Sequence, residues 1–227
     1  MDIFEKNDII RNRMLADCTH RMKNMLGGIG GFAALLRKDI KDKDPKAPLV
    51  DRIRESVIRL DEFLVDFMTL LRDQKLEIEK VDLPTTFREA CNLHFETDED
   101  HIIESPIKPV FHPAKIQMQA DPLLLRRCLY HAVRFLALLS TQYGDATVEL
   151  KNKDEIHLLF EFESDLNLKP LLKNPIAHID CLESIDARIS FLLCVKMCHY
   201  HHGQTRLEQQ SDTTWILHIS LRKDFKK

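Results

Sequence analysis

The stretch that most constrains the fold is residues 15–36, LADCTHRMKNMLGGIGGFAALL. Its apolar residues follow one another at spacings of three and four, which is the heptad pattern of a helix packed along one side. They form what is called here the first stripe: Leu15, Cys18, Met22, Met25, Ile29, Phe32 and Leu36. If Leu15 and Cys18 occupy the a and d positions of the heptad, His20 falls at f and points into solvent. The stretch therefore predicts a long amphipathic helix with an exposed histidine.

The helix surface beneath His20 carries very little side chain. Four of the six glycines of the protein are Gly27, Gly28, Gly30 and Gly31, and each costs a helix interior about 1 kcal/mol relative to alanine. Two explanations stay open from the residues alone. One is a kink or a close helix contact. The other is a docking strip, formed by Gly27, Gly31 and Ala34, on which another protein's helix or loop approaches His20.

A second amphipathic helix is predicted to pair with the first. We predict helices over about residues 4–43 and 48–76, joined by a polar turn that contains two prolines. Two helices of similar length with a short connection form an antiparallel hairpin. The second helix has its own heptad pattern, made by Val50, Ile53, Val57, Leu60, Leu64, Phe67 and Leu71.

Each helix also has a second apolar flank: Leu26, Ala33 and Ile40 on the first helix, and Ile58, Phe63 and Met68 on the second. A lone hairpin buries one stripe of each helix, so the additional apolar surface predicts a partner. A homodimer is the simplest source of that partner. A contact with the C-terminal half of the chain stays open as the alternative.

The segment from His20 to Leu26, HRMKNML, followed by Gly31 to Leu36, GFAALL, resembles the phosphoacceptor histidine box of two-component histidine kinases. In that family the box lies on the first helix of a hairpin that dimerises into a four-helix bundle. The resemblance implies that His20 accepts a phosphoryl group. It also implies that Asn24 can orient a water for dephosphorylation of a partner. Arg21 and Lys23 would offset phosphate charge.

Residues 78–227 predict an α/β sandwich, with helices on one face of a mixed or antiparallel sheet. The predicted fold class is therefore α+β, with a helical hairpin over 1–77 and the sandwich over 78–227. Residues 165–178 are ambiguous. Helices are predicted at about 83–95, 122–140 and 185–201, and strands at 78–83, 107–111, 116–120, 146–150, 156–163, 204–210 and 213–221.

Two segments of the second half resemble the ATP-binding domain of the histidine kinase and Hsp90 superfamily. They are ADPLLLRRCL at 120–129 and LLCVKMCHYHHG at 192–203. Nucleotide binding in that family needs an asparagine for magnesium, a DxGxG loop for adenine and flexible glycines around the phosphates. Here the asparagine positions hold His131 and Phe135, and no glycine occurs between Gly144 and Gly203. We therefore predict the fold without its ATP site, and no cofactor of its own.

Composition narrows the classes of function. Charged residues make up 30% and the formal net charge is -3, which gives no argument for a nucleic-acid or membrane-surface partner. No apolar run approaches 18 residues, so we predict a soluble, cytoplasmic protein. The six cysteines are scattered among apolar residues, as expected of buried thiols rather than disulfides. Cys194, Cys198 and His202 have a spacing that zinc could use, but the cysteines are better explained as core.

The combined prediction is a histidine phosphotransfer protein. His20 would exchange a phosphoryl group with the aspartate of a response-regulator receiver domain, and that partner would supply Mg²⁺. The alternative is a non-catalytic pseudokinase module that sequesters or regulates a response regulator or a kinase. A third hypothesis is an active kinase with an unrecognised nucleotide site.

Overall fold

The computed structural model describes residues 3–71, 73, 75–91, 95–96, 102–103, 107, 109–151, 154–174 and 176–224. The chain divides into two compact units, Met1–Gln74 and Lys75–Lys227. The predicted boundary was between residues 77 and 78.

The first unit is the predicted antiparallel hairpin of two helices, α1 (Ile3–Asp39) and α2 (Ala47–Leu71). Asp44 closes the turn between them, since its side chain accepts a hydrogen bond from the backbone N–H of Lys46 at 2.8 Å. Arg37 ties the last turn of α1 to the start of α2, with Nε donating to Asp51 Oδ1 at 3.0 Å. Each helix is a few residues shorter at its C-terminal end than predicted.

The two helices contact each other through a different side of α1 from the first stripe. Thr19, Leu26 and Ala33 are buried, whereas the first-stripe residues from Met22 to Leu36 are between 49% and 75% exposed. On α2 the predicted set is divided, with Val50 and Leu64 buried but Ile53 and Leu60 about half exposed. The second flank of α1 therefore packs inside the hairpin. The apolar arc of α1 is wider than one stripe, so periodicity alone does not say which part faces α2.

Most of the large exposed apolar residues of the two helices lie on one side of the hairpin, with Leu35 and Ile58 as exceptions. At 100° per residue, Met25, Ile29 and Leu36 lie about 90° from the direction in which α1 faces α2. Ile53 and Leu60 are rotated by about 70° in the same sense on α2, and in an antiparallel pair equal senses of rotation reach the same side. This surface is called here the apolar face: Met22, Met25, Ile29, Phe32, Leu36, Leu49, Ile53 and Leu60.

The second unit is an α/β sandwich, as predicted. Its elements in chain order are β1 (Glu79–Asp82), α3 (Leu83–Cys91), β2 (Phe95–Glu96), β3 (Ile102–Ile103), β4 (Pro109–His112), β5 (Gln117–Ala120), α4 (Pro122–Leu139), β6 (Gln142–Lys151), β7 (Glu155–Glu163), α5 (Lys169–Lys173), α6 (Ile185–Tyr200), β8 (Gln204–Gln209) and β9 (Thr214–Arg222). The central sheet has the strand order β4-β6-β7-β9-β8, with β4 and β6 parallel and the other neighbours antiparallel. A second small sheet pairs β1 with β5, and β2 pairs with β3.

Alternating side chains of β7 and β9 form the core under the helices. The buried set is Ile156, Leu158, Phe160, Phe162, Trp215, Leu217, Ile219 and Leu221. Phe87 of α3 contacts Phe160 with ring centroids 5.7 Å apart. Asp121 caps α4 by accepting from Leu124 N at 2.9 Å, and Pro122 is the first residue of the helix, in agreement with the helix predicted at about 122–140.

His201 links the end of α6 to the start of α4. It is fully buried, its Nδ1 donates to the Met197 carbonyl oxygen at 2.8 Å, and its Nε2 accepts from the backbone N–H of Asp121 at 3.2 Å. These two bonds require the neutral ring with its proton on Nδ1. Burial lowers the pKa of His201, and the surrounding hydrogen bonds offset only part of that effect.

His218 of β9 is buried on the face of the sheet opposite the helices, where it contacts His157 and the exposed side chain of Arg206. Arg206 Nε donates to His218 Nδ1 at 2.9 Å, so the neutral ring carries its proton on Nε2 and donates to His157 Nδ1 at 2.7 Å. Burial lowers the pKa of His218, and the Arg206 charge lowers it further. The Glu208 carboxylate, 3.3 Å from His218 Nδ1, offsets part of that lowering.

Acidification is expected to destabilise the second unit. Both folded-state pKa values lie below the ordinary histidine value of 6.5, so the unfolded chain binds more protons below that pH. Stability should be level from pH 8 to 7 and fall as the pH drops through 6 toward 5. Urea denaturation followed by Trp215 fluorescence measures this. His218→Gln should flatten the slope and His178→Gln, at an exposed histidine, should not. Equal slopes in all three proteins would contradict the assignment.

Candidate functional site

His20 projects from the exposed surface of α1. Its neighbour Thr19 is buried, and the Thr19 hydroxyl donates to the Leu15 carbonyl oxygen at 2.8 Å. Because the next residue lies 100° farther round the helix, burial of Thr19 turns His20 away from α2 and into solvent. His20 also lies about 160° from the centre of the first stripe. An imidazole in this position is open to a partner from the side opposite the apolar face.

Three of the predicted site residues lie together and one lies apart. Asn24 is exposed one turn beyond His20, about 40° farther round the helix. Lys23 lies on the α2 side of His20, about 60° from it. Arg21 is exposed about 100° away, on the outermost part of the helix. The hairpin therefore gathers His20, Lys23 and Asn24 on one surface.

Lys23 has an ion-pair partner that the sequence analysis missed. Its Nζ lies 3.2 Å from Asp61 Oδ1 on α2, and the two side chains are 37% and 44% exposed. The pair could have been expected from the sequence, because the position of the turn decides which residues of the two antiparallel helices lie opposite each other. The Arg37–Asp51 pair near the turn has this register, and the same register brings position 23 close to position 61.

One of the four helical glycines allows a close helix contact, and the other three lie on open surface. A Cβ on Gly30 would lie 3.2 Å from Val57 Cγ1, so Gly30 allows a close approach of α2. A Cβ on Gly27, Gly28 or Gly31 would meet open space. No contact within the described chain therefore requires glycine at these three positions. Ala34, the last residue of the predicted docking strip, is half-buried.

Gly27→Ala combined with Gly31→Ala is expected to stabilise the hairpin by about 2 kcal/mol, the sum of two helix propensities. Denaturation followed by circular dichroism at 222 nm measures the gain. Gly30→Ala is the matched control, and it should gain less because Val57 must move. If the strip docks a partner, the stabilised double variant binds that partner more weakly. A double variant no more stable than the wild type would contradict the open geometry.

Several positions at which the resemblance implies an ATP site hold buried side chains of the second unit, whereas Asp165, Leu166 and Asn167 are exposed. His131 and Phe135 of α4 are buried, and the Phe135 ring packs on Phe191 of α6 with centroids 4.9 Å apart. In the segment that stands where a DxGxG loop is expected, Ser164 Oγ donates to the Leu139 carbonyl oxygen at 2.8 Å, and Leu168 is buried. These side chains contribute to the packing of the domain.

The cysteines of α6 are also core residues. Cys194 and Cys198 are fully buried, and Cys198 Sγ donates to the Ser220 carbonyl oxygen at 3.6 Å. Burial raises the pKa of the Cys198 thiol to about 12, which opposes the thiolate that zinc requires. His202 is exposed and ends the helix with a φ of 53°. Within the described ranges, no group of three or more His, Cys, Asp or Glu side chains is arranged to hold a metal.

Residues 10–75 match the family model of the His Kinase A (phospho-acceptor) domain. The match spans the hairpin of the first unit, which is under a third of the chain. The matched segment contains His20, Asn24 and the glycines at positions 27, 28, 30 and 31, and it ends four residues after α2. The sequence has no match among curated proteins.

Several solved structures share the fold at low sequence identity. Full-length ShkA in complex with AMPPNP aligns over 95% of this chain and 47% of its own, with 16% identity and a TM-score of 0.71. This chain therefore spans about half the length of ShkA. The Acinetobacter baumannii histidine kinase AdeS aligns over 88% of this chain and 94% of its own, with 13% identity and a TM-score of 0.54. The mycobacterial sensor histidine kinase MprB aligns over 66% of this chain and all of its own, with 11% identity and a TM-score of 0.52.

The α/β sandwich thus resembles histidine kinase ATPase domains. None of the helices in the described part of the chain combines the length and the apolar character needed to span a membrane.

Proposed function

We propose that the protein is a histidine phosphotransfer protein that relays a phosphoryl group between His20 and the aspartate of a response-regulator receiver domain. One observation carries the proposal: an exposed histidine stands above an open strip of glycines within a segment matched to a phospho-acceptor domain. A receiver must bring its aspartyl phosphate in line with the imidazole, and the absence of side chains at Gly27 and Gly31 leaves room for that approach.

The proposed transfer needs little from this chain beyond positioning. The unprotonated nitrogen of the His20 ring attacks phosphorus, and the N–P bond forms as the bond between phosphorus and the aspartate oxygen breaks. The electron pair of that bond returns to the carboxylate, and Mg²⁺ on the receiver screens the charge. The reverse reaction returns the phosphoryl group to aspartate. Asn24, one turn from His20, is placed to orient a water that hydrolyses the receiver's phosphate.

We propose that this chain has no ATP chemistry and no cofactor of its own. At one position where the resemblance implies an asparagine for magnesium, the chain has Phe135, which packs on Phe191 in the core. The segment compared with the adenine loop lacks glycine, and its Leu168 is buried. Calorimetry at millimolar Mg-ATP tests whether the chain binds ATP, and saturable binding would favour the hypothesis of an active kinase instead.

We also propose that the protein acts as a cytoplasmic homodimer, with neither nucleic acid nor a membrane as its partner. The support for the dimer is the apolar face, whose residues are too large and too exposed to remain in water. A second hairpin of the same kind has a face of matching chemistry, and two-fold symmetry brings the two faces together. The two copies of His20 then point outward.

The second candidate is a non-catalytic pseudokinase module that sequesters or regulates a receiver or a kinase. The open positions of Gly27 and Gly31 in the docking strip favour it, because that surface fits a partner whether or not His20 reacts. In this case the histidine box is a binding surface only.

His20→Ala is expected to abolish phosphoryl acceptance. The purified dimer is mixed with a panel of phosphorylated receiver domains, and label that is acid-labile and base-stable is followed on this chain. His178→Ala, at another exposed histidine, is the control and should retain the wild-type level. Label on the wild type that is lost only in His20→Ala supports the relay. Tight receiver binding without label on any variant contradicts the relay and supports the binding module.

A further inference from the structure

Lys23 lies between His20 and α2. It follows His20 by three residues, so the two side chains are neighbours on the helix surface, with about 5–6 Å between their Cβ atoms. Helical side chains lean toward the N-terminus of their helix, so Lys23 leans over the turn that carries His20. In the structure, however, its ammonium group is paired with Asp61 across the hairpin at 3.2 Å.

We propose that Asp61 is a positioning residue that holds Lys23 on α2 while His20 is free, and releases it to the phosphoryl group when His20 is phosphorylated. The inference rests on the proposed function of His20 as a phosphoacceptor. It gives Asp61, which neither touches the histidine nor belongs to the histidine box, a role in setting the charge around the phosphoryl group.

The exchange is favourable on charge. A phosphoryl group brings a charge of roughly -1.5 to -2 and three acceptor oxygens, whereas the Asp61 carboxylate brings a single charge. The Lys23–Asp61 pair is exposed at both ends, and an exposed ion pair contributes little to stability. Lysine has a flexible stem and three donors with no fixed geometry, so it can change partners with a small cost in order.

The surroundings favour Lys23 over other cations. Arg21 lies about 100° farther round α1 than His20, on the outermost part of the helix. Gly27, four residues beyond Lys23, has no side chain to block its movement. Thr19, four residues before Lys23, is buried, and its hydroxyl donates to the Leu15 carbonyl oxygen. A rotation of the Lys23 side chain is therefore the smallest change that brings a positive charge to the phosphoryl group.

Chemical phosphorylation tests this without a partner protein. Potassium phosphoramidate transfers its phosphoryl group to histidine: the P–N bond of the reagent breaks, ammonia leaves, and a new N–P bond forms on the imidazole. Phosphohistidine at position 20 is identified by ³¹P NMR as the signal missing from His20→Ala. A pH titration of that signal then reports the acidity constant of the phosphoryl group in each full-length variant.

Lys23→Gln should lower the acidity constant of the phosphoryl group, because the nearby positive charge is lost. Asp61→Asn should raise this acidity constant by up to about fivefold relative to the wild type, since Lys23 no longer pairs with Asp61. Glu55→Gln, at an exposed carboxylate elsewhere on α2, is the matched control and should leave it unchanged. A wild-type acidity constant in Asp61→Asn would overturn the proposal, as would the same acidity constant in all variants. The relay by His20 is measured separately with receiver domains, so the role of Asp61 and the relay can fail independently.

Discussion

Phe32→Glu is expected to convert the dimer into monomers. Phe32 is 75% exposed on the hairpin and lies within the apolar face. Burying a phenylalanine contributes about 1.5–3 kcal/mol, and two-fold symmetry makes every substitution count twice. An unpaired carboxylate in the same position adds a desolvation cost. Together these raise the dissociation constant by at least about a thousandfold. Analytical ultracentrifugation over a range of concentrations measures the change.

Two further variants on α2 provide a matched comparison. Leu60 belongs to the apolar face, whereas Ile58 lies about 200° away on the opposite side of the same helix. They are 46% and 56% exposed, so their apolar contact with water is similar. Leu60→Glu should weaken the dimer, while Ile58→Glu should leave it intact. Equal effects of the two would show that the proposed dimer uses another surface.

Gly203→Ala is expected to unfold the second unit, or to destabilise it by about 3 kcal/mol or more. A Cβ at this position would overlap the Ser220 carbonyl oxygen and would lie 2.7 Å from Cys198 Sγ and 2.9 Å from Leu221 Cδ2. The Ser220 carbonyl belongs to the backbone of β9, whose partner at this point is Gln204 of β8. The Ser220 carbonyl group therefore cannot move away from the new Cβ without disturbing the pairing of β8 and β9.

The single tryptophan makes this measurement specific. Trp215 is 1% exposed in the core of the second unit, so its fluorescence reports that unit. Gly144→Ala is the control in the same unit, because there a Cβ would lie 3.0 Å from Glu161 Cβ, 3.1 Å from its Cγ and 3.2 Å from its carbonyl oxygen, contacts that a shift of a few tenths of an ångström relieves. It should lower stability much less. A Gly203→Ala protein with a wild-type unfolding midpoint would contradict the close contact with β9.

The sequence predicted the type and order of the secondary structure well, because those features depend on local patterns. Spacings of three and four gave α1 and α2, and alternation gave β7 and β9 to within a few residues. Asp121 and Pro122 marked the start of α4, since capping is a property of the residues themselves. In the ambiguous stretch 165–178, the structure has the short helix α5 and irregular chain.

The exposure of His20 was also predictable, although the helix packs on a side that was not predicted. The first stripe places His20 at f, and burial of Thr19 places it in solvent as well. The two criteria agree because His20 lies about 100° from the α2 contact and about 160° from the centre of the first stripe.

The sequence by itself determined two helices, a histidine in solvent and a sandwich that has His131 and Phe135 where the resemblance implies asparagine. Only the tertiary structure decided which apolar side of α1 faces α2, which glycine allows the close approach, and that Lys23 is paired with Asp61. The physical reason is that periodicity describes one helix at a time. The rotation of one helix against another is a property of the pair, and it is set by how their side chains fit together.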